Sequence, residues 1–270
     1  MPELPEVETI KRDLERVVSE KKIKDIEISV GKLIKEPRAE ELTKRIKGKT
    51  FKGVFRRGKY LIFSLSSGEY LVVHLKLTGQ LIYGERDKRS RITFFLSDGK
   101  YLNFNDQRLF GEVRLVKEWE ETPGIKKMGV EPLGRDFTPS LFQKMLAGRK
   151  TKVKPLLMEQ SFLAGIGNIY AQESLFRAKI HPGRPANKLK EKEVKELYSS
   201  LRAVLEEAIN KRGSSVDTYL DAKGERGGFD SYLQVYGREG SPCVRCGKGI
   251  VKVELGGRGT CFCPRCQSTA

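Results

Sequence analysis

The sequence predicts an α+β chain in three parts. A β-rich N-terminal domain, read as a β-sandwich with the first helix packed on it, precedes a helical domain and a short C-terminal hairpin built around cysteines. Three observations predict this. Apolar residues recur at helical steps over residues 5–18 and 189–210; they alternate with period two from about residue 23 to 116; and four of the five cysteines fall in two close pairs after residue 242. At 270 residues the chain is long enough for one large domain or two ordinary ones with a proper core.

In the first helix Val7, Ile10, Leu14 and Val17 recur at three- and four-residue steps, and Pro5 suits a first-turn position. The β-rich part carries two clear hairpins. Residues 60–65 and 70–77 flank Ser66-Ser67-Gly68, and residues 92–96 and 101–104 flank Ser97-Asp98-Gly99. Pro123-Gly124, Pro132-Leu133-Gly134 and Thr138-Pro139 mark the boundary region. Beyond it, Val194, Leu197, Leu201, Val204 and Ala208 form one apolar stripe that ends at Lys211-Arg212-Gly213. The expected domains are 1–133 (sandwich), 134–229 (helical) and 230–270 (hairpin). Residues 213–230, rich in Gly, Ser, Asp and Lys, are expected to be a mobile loop.

Fifty-two Lys and Arg stand against 35 Asp and Glu, a formal charge of +17. Such an excess attracts polyanions and favours a nucleic-acid partner, although a Lys-rich surface alone could also produce it. No apolar run approaches the roughly 20 residues of a membrane span, and the N-terminus lacks a signal peptide's basic and apolar regions. The expectation is a soluble, cytoplasmic monomer with no membrane contact.

Cys243-x2-Cys246 and Cys263-x2-Cys266 lie 16 residues apart, a spacing that brings four thiolates into a tetrahedron around one zinc ion. Four protein ligands leave no open position, so the metal is structural. Disulfides are the alternative and do not suit a reducing compartment. Residues 250–255 and 260–262 read as the two strands of a hairpin with Gly256-Gly257-Arg258-Gly259 at its tip. Cys261 reads as a packed or surface side chain rather than a fifth ligand.

Met1-Pro2-Glu3-Leu4-Pro5-Glu6-Val7-Glu8 resembles the start of the formamidopyrimidine-DNA glycosylase family, bacterial enzymes that remove 8-oxoguanine and ring-opened purines. Four further segments resemble that family in the same order. They are Arg57-Gly58-Lys59-Tyr60-Leu61, Asp106-Gln107-Arg108-Leu109-Phe110-Gly111, Gly165-Ile166-Gly167-Asn168-Ile169-Tyr170-Ala171 and Gln234-Val235-Tyr236-Gly237-Arg238, the last leading into the cysteine module. The resemblance implies a helix–two-turn–helix fold for the helical domain, a zinc-finger hairpin, and damaged double-stranded DNA as partner.

It also implies roles for particular residues. Pro2, once Met1 is removed, would be the nucleophile, Glu3 the general acid–base, and Lys59 an aid to β-elimination. Arg258 corresponds to the family's proton donor for δ-elimination, although an Arg holds its proton so firmly that phosphate clamping and charge stabilisation suit it better. Glu6 belongs to the same signature and also suits the positive end of the first helix. Leu77, Arg108 and Phe110 correspond to the side chains that fill the gap left by a flipped base. Leu77 stands where methionine is usual. Without the motif, Leu77 and Phe110 would be read as core strand residues. Asn168, Arg149 and Lys154 correspond to backbone contacts, and Arg89 and Arg91 stand where the family commonly has histidines. His74 and His181 read as structural.

The amine chemistry is consistent with the resemblance. An α-amino pKa near 8 leaves about a tenth of Pro2 neutral at pH 7, against well under a thousandth of a lysine. The iminium formed by a secondary amine cannot lose a proton to become a neutral imine, so it remains an electron sink. Two other readings compete: an endonuclease VIII-type enzyme for oxidised pyrimidines, which the Leu4 of this chain disfavours, and a non-catalytic damage-binding protein, which Pro2, Glu3 and Lys59 together disfavour.

Overall fold

The structure is a computed structural model and describes residues 1–268. Helix α1 (Leu4–Val18) forms where the helical spacing predicts it, with Val7, Ile10, Leu14 and Val18 fully buried. Pro5 occupies the first turn, where its missing N–H costs no helical hydrogen bond. The polar face binds itself through Glu8–Arg12 and Lys11–Glu15 pairs, the i,i+4 spacing that brings side chains together on a helix.

Nine strands follow among the described residues of this unit: β1 (Ile23–Ile28), β2 (Ile34–Glu36), β3 (Phe51–Arg57), β4 (Tyr60–Leu65), β5 (Tyr70–His74), β6 (Gly79–Gly84), β7 (Ile92–Leu96), β8 (Tyr101–Asp106) and β9 (Glu112–Val116). A short helix, α2 (Ala39–Ile46), lies between β2 and β3. They form a four-stranded sheet in the order β1-β7-β8-β6 and a five-stranded sheet in the order β2-β9-β5-β4-β3, antiparallel except for β2 beside β9. Both sheets and α1 contribute to one core, in which Phe51, Phe63, Phe94 and Phe104 pack with the apolar face of the helix. Alternation turns one side of β9 inward, whereas β4, β5 and β7 are buried on both faces for most of their length.

One strand ends earlier than its alternation predicts. Residues 70–77 read as continuous, but β5 stops at His74, because Lys76 takes a left-handed backbone (φ 52°) and the Gly79 N–H donates to the Leu75 carbonyl at 2.9 Å. A side chain at residue 79 would strike that carbonyl, with Cβ only 2.4 Å from the oxygen, so the tight turn needs glycine.

The chain divides into two compact units, Met1–Lys126 with Lys211–Asp230, and Lys127–Asn210 with residues 231–270. The segment expected to be a mobile loop thus packs with the sandwich, and it is densely bonded. Arg212 donates to Asp13 and Asp221, the Ser214 N–H to Glu6, Ser215 Oγ to the Tyr219 carbonyl, and the Tyr83 N–H to the Ala222 carbonyl. Its Gly- and Ser-rich composition supplies the turns and short donors that such a network needs.

The second unit contains α3 (Pro139–Ala147), α4 (Val153–Met158), α5 (Asn168–Arg177) and α6 (Glu191–Asn210), then β10 (Val251–Leu255) paired antiparallel with β11 (Arg258–Phe262). Thr138 caps α3, accepting from the Leu141 N–H at 3.2 Å, with Pro139 next. The stripe predicted on α6 is buried throughout. Two turns separate α4 from α5, giving the helix–two-turn–helix arrangement. Gln160 secures them, accepting from the Gly165 N–H (3.0 Å) and donating to the Ile166 carbonyl (2.8 Å).

Candidate active site and nucleic-acid interface

Pro2 and Glu3 lie immediately before the first turn of α1, and both are buried. Glu3 occupies the N-cap position. Glu6, three residues on, accepts the Glu3 N–H at 2.8 Å, while its other oxygen accepts the Ser214 N–H at 2.8 Å. Glu6 therefore does more than suit the helix dipole: it ties the start of α1 to the 213–230 segment. A side chain at Gly213 would lie 2.8 Å from Glu6 Oε1, and its φ of +78° also favours glycine.

Lys59 belongs to the same unit. It lies in the two-residue Gly58-Lys59 turn between β3 and β4, with Gly58 left-handed (φ 56°) and Lys59 buried. Arg56 fixes this turn to the helix, donating to Glu8 on α1 and to the Gly58 carbonyl, each at 2.9 Å. Burial alone would raise the Glu8 carboxyl, yet the guanidinium groups of Arg56 and Arg12 hold it below the usual carboxylate range. The ion pair is thus charged near neutrality, and the lysine turn and the N-terminus share one rigid support.

Leu77, Arg108 and Phe110 occupy two neighbouring turns joined by a polar knot. Asp106, itself buried, accepts from Thr78 Oγ1 (2.5 Å), from the Arg108 N–H (3.2 Å) and from the Gly111 N–H (2.7 Å), while the Arg108 N–H also reaches Thr78 Oγ1 at 3.0 Å. Leu77 is half-buried and Phe110 is 51% exposed, so neither is a core strand residue. The Arg108 guanidinium lies 5.0 Å from the centre of the Phe110 ring, a cation–π distance. An uncovered aromatic beside an exposed Arg is a ready wedge for a base stack. Beside this knot, Thr78, Gln80, Arg89, Arg91, Gln107 and Thr218 help line a polar cavity of about 340 Å³. Arg89 is exposed and paired with Asp87 at 3.2 Å; the Arg91 Nε donates to the Asp106 carbonyl at 3.3 Å.

In the second unit Asn168 opens α5, with Gly167 as its N-cap. Its side-chain amide donates to the Gly259 carbonyl at 3.3 Å. Gln172, one turn later, donates to the same carbonyl (3.3 Å) and accepts the Cys261 N–H (2.6 Å). Strand β11 is therefore bound to the first turns of α5, which places Arg258 beside a helix N-terminus suited to phosphate. The hairpin turn itself is Gly256-Gly257, and Arg258, expected at the tip, is the first residue of β11, opposite Leu255. Gly256 lies so close to Pro155 that an added Cβ would sit 3.1 Å from its ring. Arg149 is exposed, whereas Lys154 is fully buried in α4, so a phosphate contact from Lys154 requires the side chain to be uncovered.

The sulfurs of Cys243, Cys246, Cys263 and Cys266 all lie within 4.8 Å of one another, with Cys243–Cys266 at 3.9 Å and Cys246–Cys263 at 3.5 Å. Four thiolates about 2.3 Å from a tetrahedral zinc stand about 3.8 Å apart, so the set fits one zinc ion. Backbone N–H groups of Arg245 and Cys266 point at the Cys243 and Cys263 sulfurs (3.4 and 3.3 Å), the charge support that metal-bound thiolates require. Cys261 is buried with Phe176, Val235 and Ile250 and stands outside this cluster. The ion holds the finger together and leaves no position for chemistry.

One structural residue here was not singled out in the sequence. Glu173 on α5, almost wholly buried, accepts the N–H groups of Gln234 (2.9 Å), Val235 (3.0 Å) and Tyr236 (2.8 Å) and so secures the lead into the finger. Burial raises its carboxyl above the usual range, although these three donors pull the other way. The histidines fit their structural reading: His74 accepts the Lys76 N–H at 2.9 Å, and His181 accepts the Gly183 N–H at 3.1 Å.

Known proteins agree with this architecture along the whole chain. Residues 1–113 match the formamidopyrimidine-DNA glycosylase N-terminal domain, residues 128–219 its H2TH domain, and residues 240–269 the zinc finger found in FPG and IleRS. The formamidopyrimidine-DNA glycosylase of Pelotomaculum thermopropionicum is 45% identical over 273 residues, covering 99% of each chain. That of Heliobacterium modesticaldum is 43% identical over 276 residues, covering 99% of this chain and all of its own. Among solved structures, the Lactococcus lactis Fpg bound to abasic-site DNA superposes with a TM-score of 0.92 at 40% identity, over 99% of this chain and 100% of that one. The Thermus thermophilus MutM (FPG) protein does so with 0.90 at 38% identity, covering 100% of both chains. On full-length relatedness and shared architecture, this chain belongs to the formamidopyrimidine-DNA glycosylase family.

Proposed function

We propose that this chain is a base-excision DNA glycosylase for oxidised purines that also nicks the strand, with Pro2 as nucleophile. Relatives of this name, and Fpg structures bound to abasic and Fapy-dG DNA, support the glycosylase and its DNA substrate. The observation that carries the mechanism is the shared support of Pro2, Glu3 and Lys59: buried Pro2 and Glu3 at the head of α1 and a lysine turn held to the same helix by Arg56.

After removal of Met1, the neutral Pro2 nitrogen attacks C1′ of the damaged nucleotide. The bond from C1′ to the base breaks, and the base leaves with the bonding electrons and a proton. The Pro2 nitrogen gives up its own proton, its lone pair then expels O4′ as the C1′–O4′ bond breaks, and Glu3 delivers a proton to O4′, leaving the nitrogen–carbon adduct as an iminium. Loss of a C2′ hydrogen, assisted by Lys59, sends electrons into that sink and expels the 3′ phosphate. A second elimination expels the 5′ phosphate, with Arg258 stabilising phosphate charge. Before this the base must leave the stack. Leu77 and Phe110 fill the gap, Arg108 bonds the orphaned partner base, and residues 213–230 receive the flipped base. Arg89, Arg149 and Asn168 hold the DNA backbone, and Lys154 joins them once its buried side chain is uncovered. No helix among the described residues is long and apolar enough to cross a membrane.

A strand-nicking assay on matched duplexes tests the substrate class. Cleavage of 8-oxoguanine opposite cytosine, well above dihydrouracil, is expected. Preference for dihydrouracil would move the chain to the oxidised-pyrimidine class.

A further inference from the structure

Residues 211–230 differ sharply from one end to the other in how they are held. At the base, Arg212 forks between two carboxylates. It donates to both oxygens of Asp13 on α1 (2.5 and 3.3 Å), and through Nε (3.0 Å) and Nη2 to Asp221. Asp221 is completely buried, and its second oxygen accepts the N–H groups of Lys223 and Glu225, each at 2.9 Å. Asp13 is 7% exposed. Arg212 itself takes a left-handed backbone (φ 63°), a conformation that costs a non-glycine residue energy and persists only where its surroundings impose it.

Above this base Ser215 bridges the two limbs of the segment. Ser215 Oγ donates to the Tyr219 carbonyl (2.8 Å) and accepts the Gly227 N–H (2.9 Å). Beyond it lie Val216, Asp217 and Thr218, where Val216 is 43% exposed and the Gln80 amide reaches the Thr218 carbonyl at 2.6 Å. The tip is held by that bond and by the Met1 amino group, which meets the Asp217 carboxylate at 3.3 Å, whereas the base carries the charged fork.

We propose that Arg212 is a positioning residue which, by gripping Asp13 and Asp221 together, holds the base of this loop against the helix that begins at Pro2 and leaves the tip to close on a flipped base. The inference rests on the reading that residues 213–230 receive the base. A loosened base lowers the fraction of molecules whose tip is poised, and the rate of base excision falls by that fraction. Strand cleavage at an abasic site that already exists needs no base reading and is spared.

Three variants test it. Arg212→Gly removes the fork while keeping the left-handed backbone, which glycine adopts freely. Asp13→Asn weakens only the link to α1, removing the charge and one of its two acceptors, and leaves the Arg212–Asp221 contact. Arg212→Lys restores a charge without the fork. Single-turnover excision of 8-oxoguanine should fall about tenfold in Arg212→Gly and in Asp13→Asn, and less in Arg212→Lys, while cleavage at a preformed abasic site stays within about twofold of wild type. Backbone amides of residues 221–225 should exchange faster with solvent in Arg212→Gly.

Equal losses on both substrates would make Arg212 a general stability residue, and no loss on either would remove the positioning role. A separate variant with Val216, Asp217 and Thr218 all changed to glycine tests the underlying reading. If it excises the base at the wild-type rate, the loop does not read the lesion and the proposal falls with that reading.

Discussion

His74 offers a prediction whose size follows from its surroundings. It ends β5, its ring meets Tyr60 edge-on at 4.4 Å, and its Nδ1 accepts the Lys76 N–H. An accepting Nδ1 carries no proton, so the ring is neutral, and protonation would break that bond. Burial lowers the His74 pKa from 6.5 to about 3, with the charges of Lys76 and Lys59 adding to the effect. In the unfolded chain the ring protonates below 6.5, whereas in the folded chain it does not until about 3. The folded state therefore loses stability as pH falls through this window and keeps it in full above 6.5. Between pH 7 and pH 5 the loss is about 2 kcal/mol, from 1.36 kcal/mol per pKa unit.

Denaturant unfolding at the two pH values, wild type against His74→Asn, measures it. The single tryptophan, Trp119, packs against Phe55 in the same compact unit, so its fluorescence follows that unit's unfolding. Asn can still accept the Lys76 N–H but does not titrate. The variant should therefore lack about 2 kcal/mol of the wild type's loss on acidification. Parallel pH dependence in the two proteins would refute the argument.

Three further predictions concern the grip on DNA. From the four-sulfur geometry, metal analysis should find one zinc per chain; chelation should abolish binding to lesion DNA while Trp119 fluorescence reports a folded sandwich, and loss of both together would contradict the separation of the two units. Because Arg258 stands beside the N-terminus of α5, Arg258→Ala should reduce the slope of log affinity against log salt by about 0.9, one phosphate contact, and an unchanged line would remove Arg258 from the DNA. Phe110→Ala should leave the melting temperature unchanged, since the ring is 51% exposed, yet slow excision by roughly tenfold or more through loss of the wedge; normal excision would assign base displacement elsewhere.

The features legible in the sequence are those encoded locally. Cysteine pairs at fixed spacing, the helical steps of α1 and α6, and the short apolar runs of β4 and β7 between turn residues each need only a few neighbouring residues to be read. The end of β5 was misread because Leu75 and Leu77 continue the alternation after the backbone has already turned at Lys76. The same local reasoning assigns Phe110 to a core strand, although it lies on a turn and is exposed.

What escapes the sequence is long-range pairing between ordinary residues. Asp13 and Arg212 are 199 positions apart, and Glu6 and Ser214 are 208 apart. Nothing in their local spacing marks them as partners. The Thr78–Asp106 knot and the Glu173 carboxylate that collects three backbone N–H groups are of the same kind. Composition marks residues 213–230 as turn-rich, but does not reveal which of their small polar residues bond to one another.

The central claim is a covalent adduct at the Pro2 nitrogen, and borohydride trapping tests it most directly. Wild-type chain, with Met1 removed, is incubated with duplex carrying 8-oxoguanine opposite cytosine in the presence of borohydride, alongside Pro2→Gly. Reduction of the iminium should yield a stable protein–DNA species for the wild type, with the modification mapped by mass spectrometry to the N-terminal peptide, and a severely reduced yield for the variant. Trapping that is as efficient in Pro2→Gly, or an adduct that maps to Lys59 or another lysine, would contradict the assignment of the nucleophile.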